Sequence, residues 1–447
     1  MNALPATGAN PWFGRAFLLL LLGFVIYHGS RHYRHSGEHA TQLTQLTEDF
    51  STSDFEAWWR TSLRMHAADD VPGARPVYFP MGSREENPGK APPAFYSALQ
   101  ALTPFGPRWG AVLFWLLSVA SLLGTFSVGL ALVRRASADI AEPMGRPGYS
   151  DWSVRLSFLL LIPYVHLCAR YNQVGFMQVF LLLLALRWLP EKPTRAGLAI
   201  AAGCVIKPIA LVMLPLLIWK KAYKATAGVL LGVAVSFLVV ILDVGFDRSI
   251  ALHVGWFEAL ADDPSMGGYH ERYQGLPSFV LGSITPVYED QIGEVADVSE
   301  WDGVRNFAAS QQLWSHASWL IMITLGLLGL GCALGVRRSK SPDTPRRWLL
   351  ETGFVLAAML LMNPTTWKHY YWFLLPALLA AFVELRDPRS RRWAQAFLIC
   401  VALLLTLPHR VLPRFIWEPY HVFHGIALGC LVLWLMMLSR LRQSRRD

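Results

Sequence analysis

A small set of charged and hydrogen-bonding side chains stands at the ends of apolar segments, where such groups are costly unless they serve a purpose. One of them is a carboxylate, Asp54, in the stretch Ser53-Asp54-Phe55. A single carboxylate can take the proton of an attacking hydroxyl, while cations and hydrogen-bond donors can hold a departing phosphate. The set therefore favours transfer of a group from a phosphate-bearing donor to a hydroxyl. The predicted donor-binding residues of this set are Arg170, Asn172, Gln173, Lys207 and His369, together with His270 and Arg272 in an acidic loop.

Each of these side chains also has a structural interpretation, and both interpretations stay open. Asp54 follows a serine in a context that also starts helices. Lys207 can extend toward lipid headgroups, as lysines near helix ends do, and His369 lies in an aromatic run typical of the membrane interface. Local ion pairing or helix termination would account for His270, Arg272, Arg170, Asn172 and Gln173.

The sequence predicts neither a metal site nor a cofactor. Two acidic pairs, Asp262-Asp263 and Glu289-Asp290, have no His or further carboxylate at metal-ligand spacing, so solvated loop charge is the better interpretation. The five cysteines lie in or at the ends of apolar runs, which indicates buried small side chains rather than disulfides or zinc ligands. The pattern also offers no pair of carboxylates of the kind that glycosidases use.

The elements that must position these residues are apolar segments. Of the 447 residues, 53% are hydrophobic and 16% are charged, whereas a soluble domain carries about 25% charged residues. Most apolar runs approach the length that crosses a roughly 30 Å hydrocarbon core, so we predict an all-α polytopic integral membrane protein with about 10–12 membrane segments. The predicted segments are 13–30, 110–133, 153–169, 174–189, 196–207, 208–219, 225–243, 313–336, 349–364, 370–384, 394–408 and 421–438.

Two of these segments are too short to cross alone and meet at Lys207-Pro208. Proline removes a backbone donor and interrupts a helix, so the sequence predicts a broken pair whose apex lies at the outer side. Lys207 would then sit in the break itself, near the other polar residues of the predicted site.

Basic residues cap one end of the apolar segments, which by the positive-inside rule faces the cytoplasm. This predicts both termini inside and two long loops, 31–109 and 244–312, outside, with short helices lying at the interface. The expected protein is one membrane-embedded domain over 1–447, multi-pass in the plasma (cell inner) membrane, surrounded by lipid, with its active site on the periplasmic or extracytoplasmic side. The net charge of +9 is spread over these caps rather than gathered in one stripe, which argues against nucleic acid as a partner.

Several motifs resemble, in order, those of a known family. Asp54-Phe55-x-x-Trp58-Trp59 is similar to its Asp-Phe-x-x-Tyr-Tyr, and Lys90-Ala91-Pro92-Pro93 to its Tyr-Pro-Pro. The block from Asn172-Gln173 to Lys207-Pro208 resembles its longest recognisable stretch, and Pro277-Ser278-Phe279 resembles its Asn-Gln-Ser segment. Pro364 to Tyr370 resembles its Pro-x-Ser-Trp-x-His turn. The family comprises polyprenol-phosphate-mannose-dependent mannosyltransferases and relatives, glycosyltransferase family 87 of the C-type superfamily.

The resemblance implies an activity and residue roles. The donor would be a polyprenyl-phosphate sugar, with mannose the expected hexose, and the acceptor a hydroxyl of a lipid or glycan. Asp54 would be the catalytic base, with Lys207, His270 and His369 near the donor phosphate or sugar. Lys90, in the segment similar to Tyr-Pro-Pro, would be a further donor-binding residue. One base and no nucleophile pair indicate inversion at the anomeric carbon. Departures from the family pattern bear on the sugar more than on the reaction: Ala91 for Tyr, Asn172 for Gly and Lys368 for an often acidic residue.

Two other classes of protein fit parts of the pattern. A secondary transporter or lipid flippase typically has matched broken helices with polar residues near the bilayer midplane, whereas this sequence has one broken pair and polar residues at the outer ends. A polysaccharide ligase or polymerase would use a lipid-diphosphate donor and outer-loop arginine clusters, which the acidic second loop lacks.

Overall fold

The computed structural model describes residues 11–35, 54–66, 77, 91–138, 140, 149–261, 274–280, 303–336, 344–363, 366–407 and 425–443. Within these ranges the chain is helical and contains no β-strand, which confirms the predicted all-α membrane fold. The helices are α1 Pro11–His35, α2 Asp54–His66, α3 Pro93–Leu99, α4 Gly106–Ser137, α5 Tyr149–Leu160, α6 Ile162–Arg170, α7 Gly175–Trp188, α8 Pro193–Ile206, α9 Met213–Trp219, α10 Tyr223–Val244, α11 Phe246–Ala261, α12 Gly303–Gly335, α13 Pro345–Met362, α14 Leu375–Glu384, α15 Arg391–Val401 and α16 Gly425–Gln443. Short 3₁₀ turns lie at Gln100–Phe105, Pro208–Val212 and Lys368–Leu374, and a π turn follows α15 at Ala402–Thr406.

Every predicted apolar segment contains a helix, but the helices differ in length. In the part of the chain that the structure describes, four helices are long and apolar enough to cross a membrane alone; they lie within Pro93–Ser137, Tyr223–Val244, Ser318–Gly335 and Gly425–Gln443. The pair α5–α6 would be a fifth span, bent by 63°. The full number of about 10–12 segments stays a prediction.

Helices α8 and α10 cross at glycines. A Cβ on Gly197 would lie 2.0 Å from the carbonyl oxygen of Ala225, and a Cβ on Gly228 would lie 2.3 Å from that of Thr194. Lipid tails are as apolar as leucine, so small residues that let two backbones approach are a main source of helix association in membranes. This contact sets the distance between α10 and α8, the helix that ends just before Lys207.

Substitution of Gly228 by Ala should therefore destabilise the protein. The added methyl group clashes with backbone rather than with an adaptable side chain, and overpacking of this kind costs about 1–3 kcal/mol. The matched control is Gly326→Ala in α12, where a Cβ meets nothing within 4 Å and should stabilise slightly through helix propensity. Thermal unfolding of both variants in detergent tests this, and equal melting temperatures would contradict the close contact.

Predicted basic caps from several helices meet at one end of the bundle, which we call the basic end. Arg346 at the start of α13 bonds Glu384 at 2.6 Å and Asp387 at 2.7 Å, and Arg440 of α16 bonds Glu384 at 2.7 Å. Lys220, after α9, pairs with Glu351 of α13. The opposite end, where α6, α8 and α13 terminate, is called the loop end. Which membrane face each end occupies stays a prediction.

The carboxyl group of Asp387 contributes to the pH dependence of this network. Burial alone would raise the pKa of Asp387, but hydrogen bonding and the charge of Arg346, with a backbone hydrogen bond from Arg389, hold that pKa below its usual value. A depressed pKa in the folded state means that the carboxylate stabilises the fold above the unfolded-state pKa. The contribution is lost as pH falls through the folded value.

Asp387→Asn should lower the free energy of unfolding by about 1.5 kcal/mol near neutral pH, the scale of a hydrogen bond to a charged group. The difference from wild type should stay constant from about pH 5 to 8 and close as pH falls below about 4, near the pKa of an unfolded aspartate. Thermal unfolding at a series of pH values measures it. A difference that persists undiminished at about pH 3 would show that Asp387 acts through packing rather than charge.

Candidate active site

Helix α6 is terminated, in the turn before α7, by a residue whose backbone is left-handed. Asn172 has φ of +51°, its N–H donates to the carbonyl of Ala169, and the N–H of Gln173 donates to that of Cys168 at 2.9 Å. These two bonds form a Schellman motif, in which Gly or Asn occupies the left-handed position. The helix-terminating interpretation of Asn172 therefore holds for its backbone, and it explains why Asn replaces the glycine expected from the family resemblance.

The side chains of this turn point into the protein. Asn172 and Gln173 are buried, and Asn172 Nδ2 donates to the Ala111 carbonyl of α4 at 3.2 Å. Two buried polar atoms have no hydrogen-bond partner among the described residues, Asn172 Oδ1 and Arg170 Nε. The guanidinium carbon of Arg170 lies 5.6 Å from the ring centre of Tyr171. The turn therefore contains buried polar atoms that the hydrogen bonds ending the helix do not use.

The predicted break between the two short segments is confirmed. Helix α8 ends at Ile206, Lys207 is extended with φ −161° and ψ 130°, and Pro208 begins a 3₁₀ turn. The N–H of Lys207 still bonds the Gly203 carbonyl at 3.0 Å, so α8 closes normally before the chain turns. Gln178 of α7 donates through Nε2 to the Lys207 carbonyl at 3.1 Å, so a side chain of the neighbouring helix contacts the backbone at the break.

Lys207 meets the aromatic turn that follows α13. Its Nζ contacts the hydroxyl of Tyr370 and lies 4.4 Å from the centre of that ring. The His369 ring stands 4.5 Å from Tyr370, edge to face, and Cys168 Sγ of α6 contacts the His369 carbonyl at 3.5 Å. His369 Nε2 is buried without a partner in the part of the chain that is described. Lys207 and His369, predicted from separate motifs, therefore lie on either side of Tyr370, next to the end of α6.

A segment of the second long loop is fastened to the same turn. The N–H of Gln274 donates to the Thr366 carbonyl at 2.7 Å, and the Tyr371 hydroxyl donates to the Gln274 carbonyl at 2.6 Å. A Cβ on Gly275 would lie 2.2 Å from the Asn363 carbonyl oxygen, so only glycine fits there. The predicted site residues Lys90, His270 and Arg272 lie outside the described residues.

Asp54 begins α2, as its helix-start interpretation predicts, and is half-buried. The next residue, Phe55, packs against Phe114 of α4 with ring centres 5.1 Å apart. Phe55 belongs to an apolar cluster that includes Val174 at the start of α7, with Ile206 packed against it. Ile206 immediately precedes Lys207, so one cluster ties the helix that bears Asp54 to the helix break.

Helix α2 has two further side-chain pairs, one within the helix and one that joins it to α10. Glu56 and Arg60 form a buried ion pair at 3.0 Å within the helix, which occupies the carboxylate nearest in sequence to Asp54. His66 at the other end of α2 lies 2.9 Å from Asp243 of α10. The first long loop is thereby fastened to α10, the helix that crosses α8.

Sequence reasoning missed Tyr370 and Gln178 as contacts of Lys207. Tyr370 was part of a recognised motif but looked like interface aromatic. Gln178 offered a signal of its own, since a lone amide in an otherwise apolar helix is costly without a partner. Within the described ranges, no three His, Cys, Asp or Glu side chains are grouped so as to hold a metal ion.

A glycosyltransferase family model matches the sequence, and the fold is that of a helical membrane protein. The chain is therefore a membrane-embedded glycosyltransferase. The matched family is glycosyltransferase family 87, over residues 92–285, which confirms the resemblance drawn from the motifs. The matched part includes Arg170, Asn172, Gln173 and Lys207, whereas Asp54, Lys90 and His369 lie outside it. A search of curated proteins found no match.

The left-handed backbone at Asn172 gives a test that separates its backbone from its side chain. Asn172→Gly keeps the conformation and loses one hydrogen bond, which costs about 1 kcal/mol. Asn172→Ala loses the same bond and adds about 1–2 kcal/mol of left-handed strain. Thermal unfolding should therefore rank wild type above Gly and Gly above Ala. An alanine variant as stable as the glycine variant would refute the Schellman geometry.

Proposed function

We propose that the enzyme moves a hexose, mannose by family resemblance, from a polyprenyl-phosphate sugar to a hydroxyl of a lipid or glycan acceptor, at the non-cytoplasmic membrane face. The observation that carries the proposal is the convergence of Lys207, Tyr370 and His369 at a helix break, tied through packing to the helix that bears Asp54. The positive-inside rule supports the side, since Lys207, Tyr370 and His369 lie at the end opposite the basic caps.

We assign the donor phosphate to the site formed by Lys207, Tyr370 and His369. Phosphate oxygens are bound best by cationic and neutral N–H or O–H donors in partly desolvated positions. Lys207 supplies an ammonium, Tyr370 a hydroxyl, and His369 a buried ring nitrogen with no described partner. Arg170 and the amides of Asn172 and Gln173 stand at the end of the neighbouring helix, where further phosphate or sugar oxygens would be received.

The reaction needs one proton transfer and one displacement. Asp54 takes the proton of the acceptor hydroxyl while the hydroxyl oxygen bonds to the anomeric carbon. The bond from that carbon to the phosphate oxygen breaks, and polyprenyl phosphate leaves with the electron pair. Because the phosphate is a good leaving group once its charge is held, no second carboxylate is required to protonate it. In-line attack inverts the anomeric centre.

Asp54→Asn should reduce transfer on the order of 10²-fold or more, the usual contribution of a positioned base, without weakening donor binding. The matched control is Asp247→Asn, an exposed carboxylate in the first turn of α11 at the same end of the bundle. Purified proteins are assayed with labelled polyprenyl-phosphate-mannose and a panel of lipid and glycan acceptors, and product linkage is determined by NMR.

The outcomes separate the parts of this proposal. Equal activity of wild type and Asp54→Asn would leave Asp54 as a helix-start residue and remove the base assignment. A product that retains the donor configuration would overturn inversion. Donor binding without transfer to any acceptor would instead favour a lipid carrier.

A further inference from the structure

The outward face of helix α11 is divided into an apolar stripe and an acidic edge. The stripe has residues three or four positions apart, which share one face of a helix, and their exposed fractions lie between 45% and 64%: Phe246, Ile250, Val254 and Phe257. The adjoining strip of the same surface is also exposed and holds Asp247, Ala251 and Glu258. A helix surrounded by water would gain nothing from gathering large apolar side chains on the side away from the protein.

The inward face of α11 shows that this helix returns along α10. Gly245, between the two helices, has φ of +86°, a value that favours glycine. The ring of His253 stacks on that of Phe237 in α10, with centres 3.9 Å apart, and Leu252 shares a buried apolar cluster with Val240. Phe237 and His253 are equally distant from Gly245 in the chain. Helix α11 therefore turns back beside α10 instead of continuing away from it.

This return brings α11 to the depth at which a bilayer begins. Helix α10, Tyr223–Val244, is long and apolar enough to cross a membrane, and Phe237 lies about 10 Å from its loop end at the usual rise per residue. Leu230 lies on the same face of α10, further toward the basic end, and is 58% exposed. The face that α11 covers is thus open to lipid directly below α11, so the stripe adjoins a surface that already faces lipid.

The size and shape of the stripe fit lipid better than a protein partner or a substrate tail. A stable protein interface takes about 20–30 residues on each side, whereas the stripe consists of four side chains on one helix. It stands on the convex outside of that helix and not in a groove that would enclose a long chain. An amphipathic helix at a membrane surface buries its apolar face about 5–10 Å into the boundary between headgroups and acyl chains.

We propose that α11 is an interfacial helix whose apolar stripe inserts among the lipids of the leaflet at the loop end. Its acidic edge, with Asp247 and Glu258, faces water, and its inward face packs on α10. The first helix of the predicted outer loop 244–312 is thus part of the membrane-embedded body and holds the start of that loop against the bilayer. This role depends neither on the donor nor on the reaction.

The first test measures the depth of single nitroxide labels in vesicles of phosphatidylethanolamine and phosphatidylglycerol. The labels are attached to Val254→Cys, Phe257→Cys or Glu258→Cys in a chain whose five free cysteines are replaced by alanine. Power saturation compares collisions with oxygen, which concentrates in hydrocarbon, with collisions with a water-soluble nickel chelate. The first two labels should lie about 5–10 Å below the headgroups and the third in water, although Phe257 and Glu258 are neighbours. Leu238→Cys, on the exposed side of α10, is the control for a label in lipid.

A second test leaves the native cysteines in place. Val254→Asp puts a charge on the stripe, whereas Ala251→Asp puts the same charge on the acidic edge of α11. Thermal unfolding in lipid nanodiscs should show a larger fall in melting temperature for Val254→Asp, because a carboxylate is costly where it leaves water. Helix propensity alone predicts the opposite order, since alanine loses more than valine on replacement by aspartate. Equal or reversed shifts would contradict insertion of the stripe.

The labels also identify any other occupant of the stripe. Labels at Val254 and Phe257 that collide mainly with the nickel chelate would overturn the proposal. Spin–spin broadening that disappears when unlabelled protein is added would place a second copy of the chain there. Loss of oxygen collisions on addition of polyprenyl phosphate would place a substrate tail there, and either result would replace lipid as the occupant. Sugar transfer enters none of these measurements, so failure of the proposed function would leave this inference standing.

Discussion

The rest of the loop end depends on the interruption of one helix at Lys207-Pro208. In an apolar environment every backbone polar group needs a partner, so a helix can break only where neighbours supply donors and acceptors. Here the chain continues as a 3₁₀ turn, Gln178 of α7 donates to the Lys207 carbonyl, and Tyr370 of the aromatic turn contacts the Lys207 ammonium. The residue at which the helix breaks, Lys207, is thus also the candidate phosphate ligand.

The rest of the bundle keeps that arrangement in register. At one side, Gly197 and Gly228 let α8 and α10 approach to backbone contact, which leaves little freedom for the helix that leads into the break. At the basic end, Glu384 receives both Arg346 and Arg440, so α13, α14 and α16 are joined by charge where they leave the apolar region. Rigid support far from a site is a common way to hold catalytic groups within narrow geometric limits.

The described parts of the two long loops are fastened to this scaffold by different means. Helix α2 packs through Phe55 and Phe114 and reaches α10 through His66 and Asp243. The second loop is fastened at Gln274, whose backbone bonds the turn that carries His369 on both sides. The helix that bears Asp54 and the residues proposed to bind phosphate therefore come from separate segments, which are joined by apolar packing rather than by proximity in sequence.

The sequence by itself determined the fold class, the helical segments and the position of the break, because apolar runs of membrane length and a proline after a charged residue leave few alternatives. It also indicated Lys207 and His369, since charge or imidazole at such a boundary is unusual. It did not indicate Gln178 as a partner of Lys207, or Tyr370 as its contact, because residues in α7, α8 and the turn after α13 meet only when the helices are packed. Nor did it decide between the two interpretations of Asn172, whose left-handed backbone and buried side chain are visible only in the folded turn. Periodicity and hydropathy report each segment's environment, whereas the partner of a buried polar atom is a property of the assembled bundle.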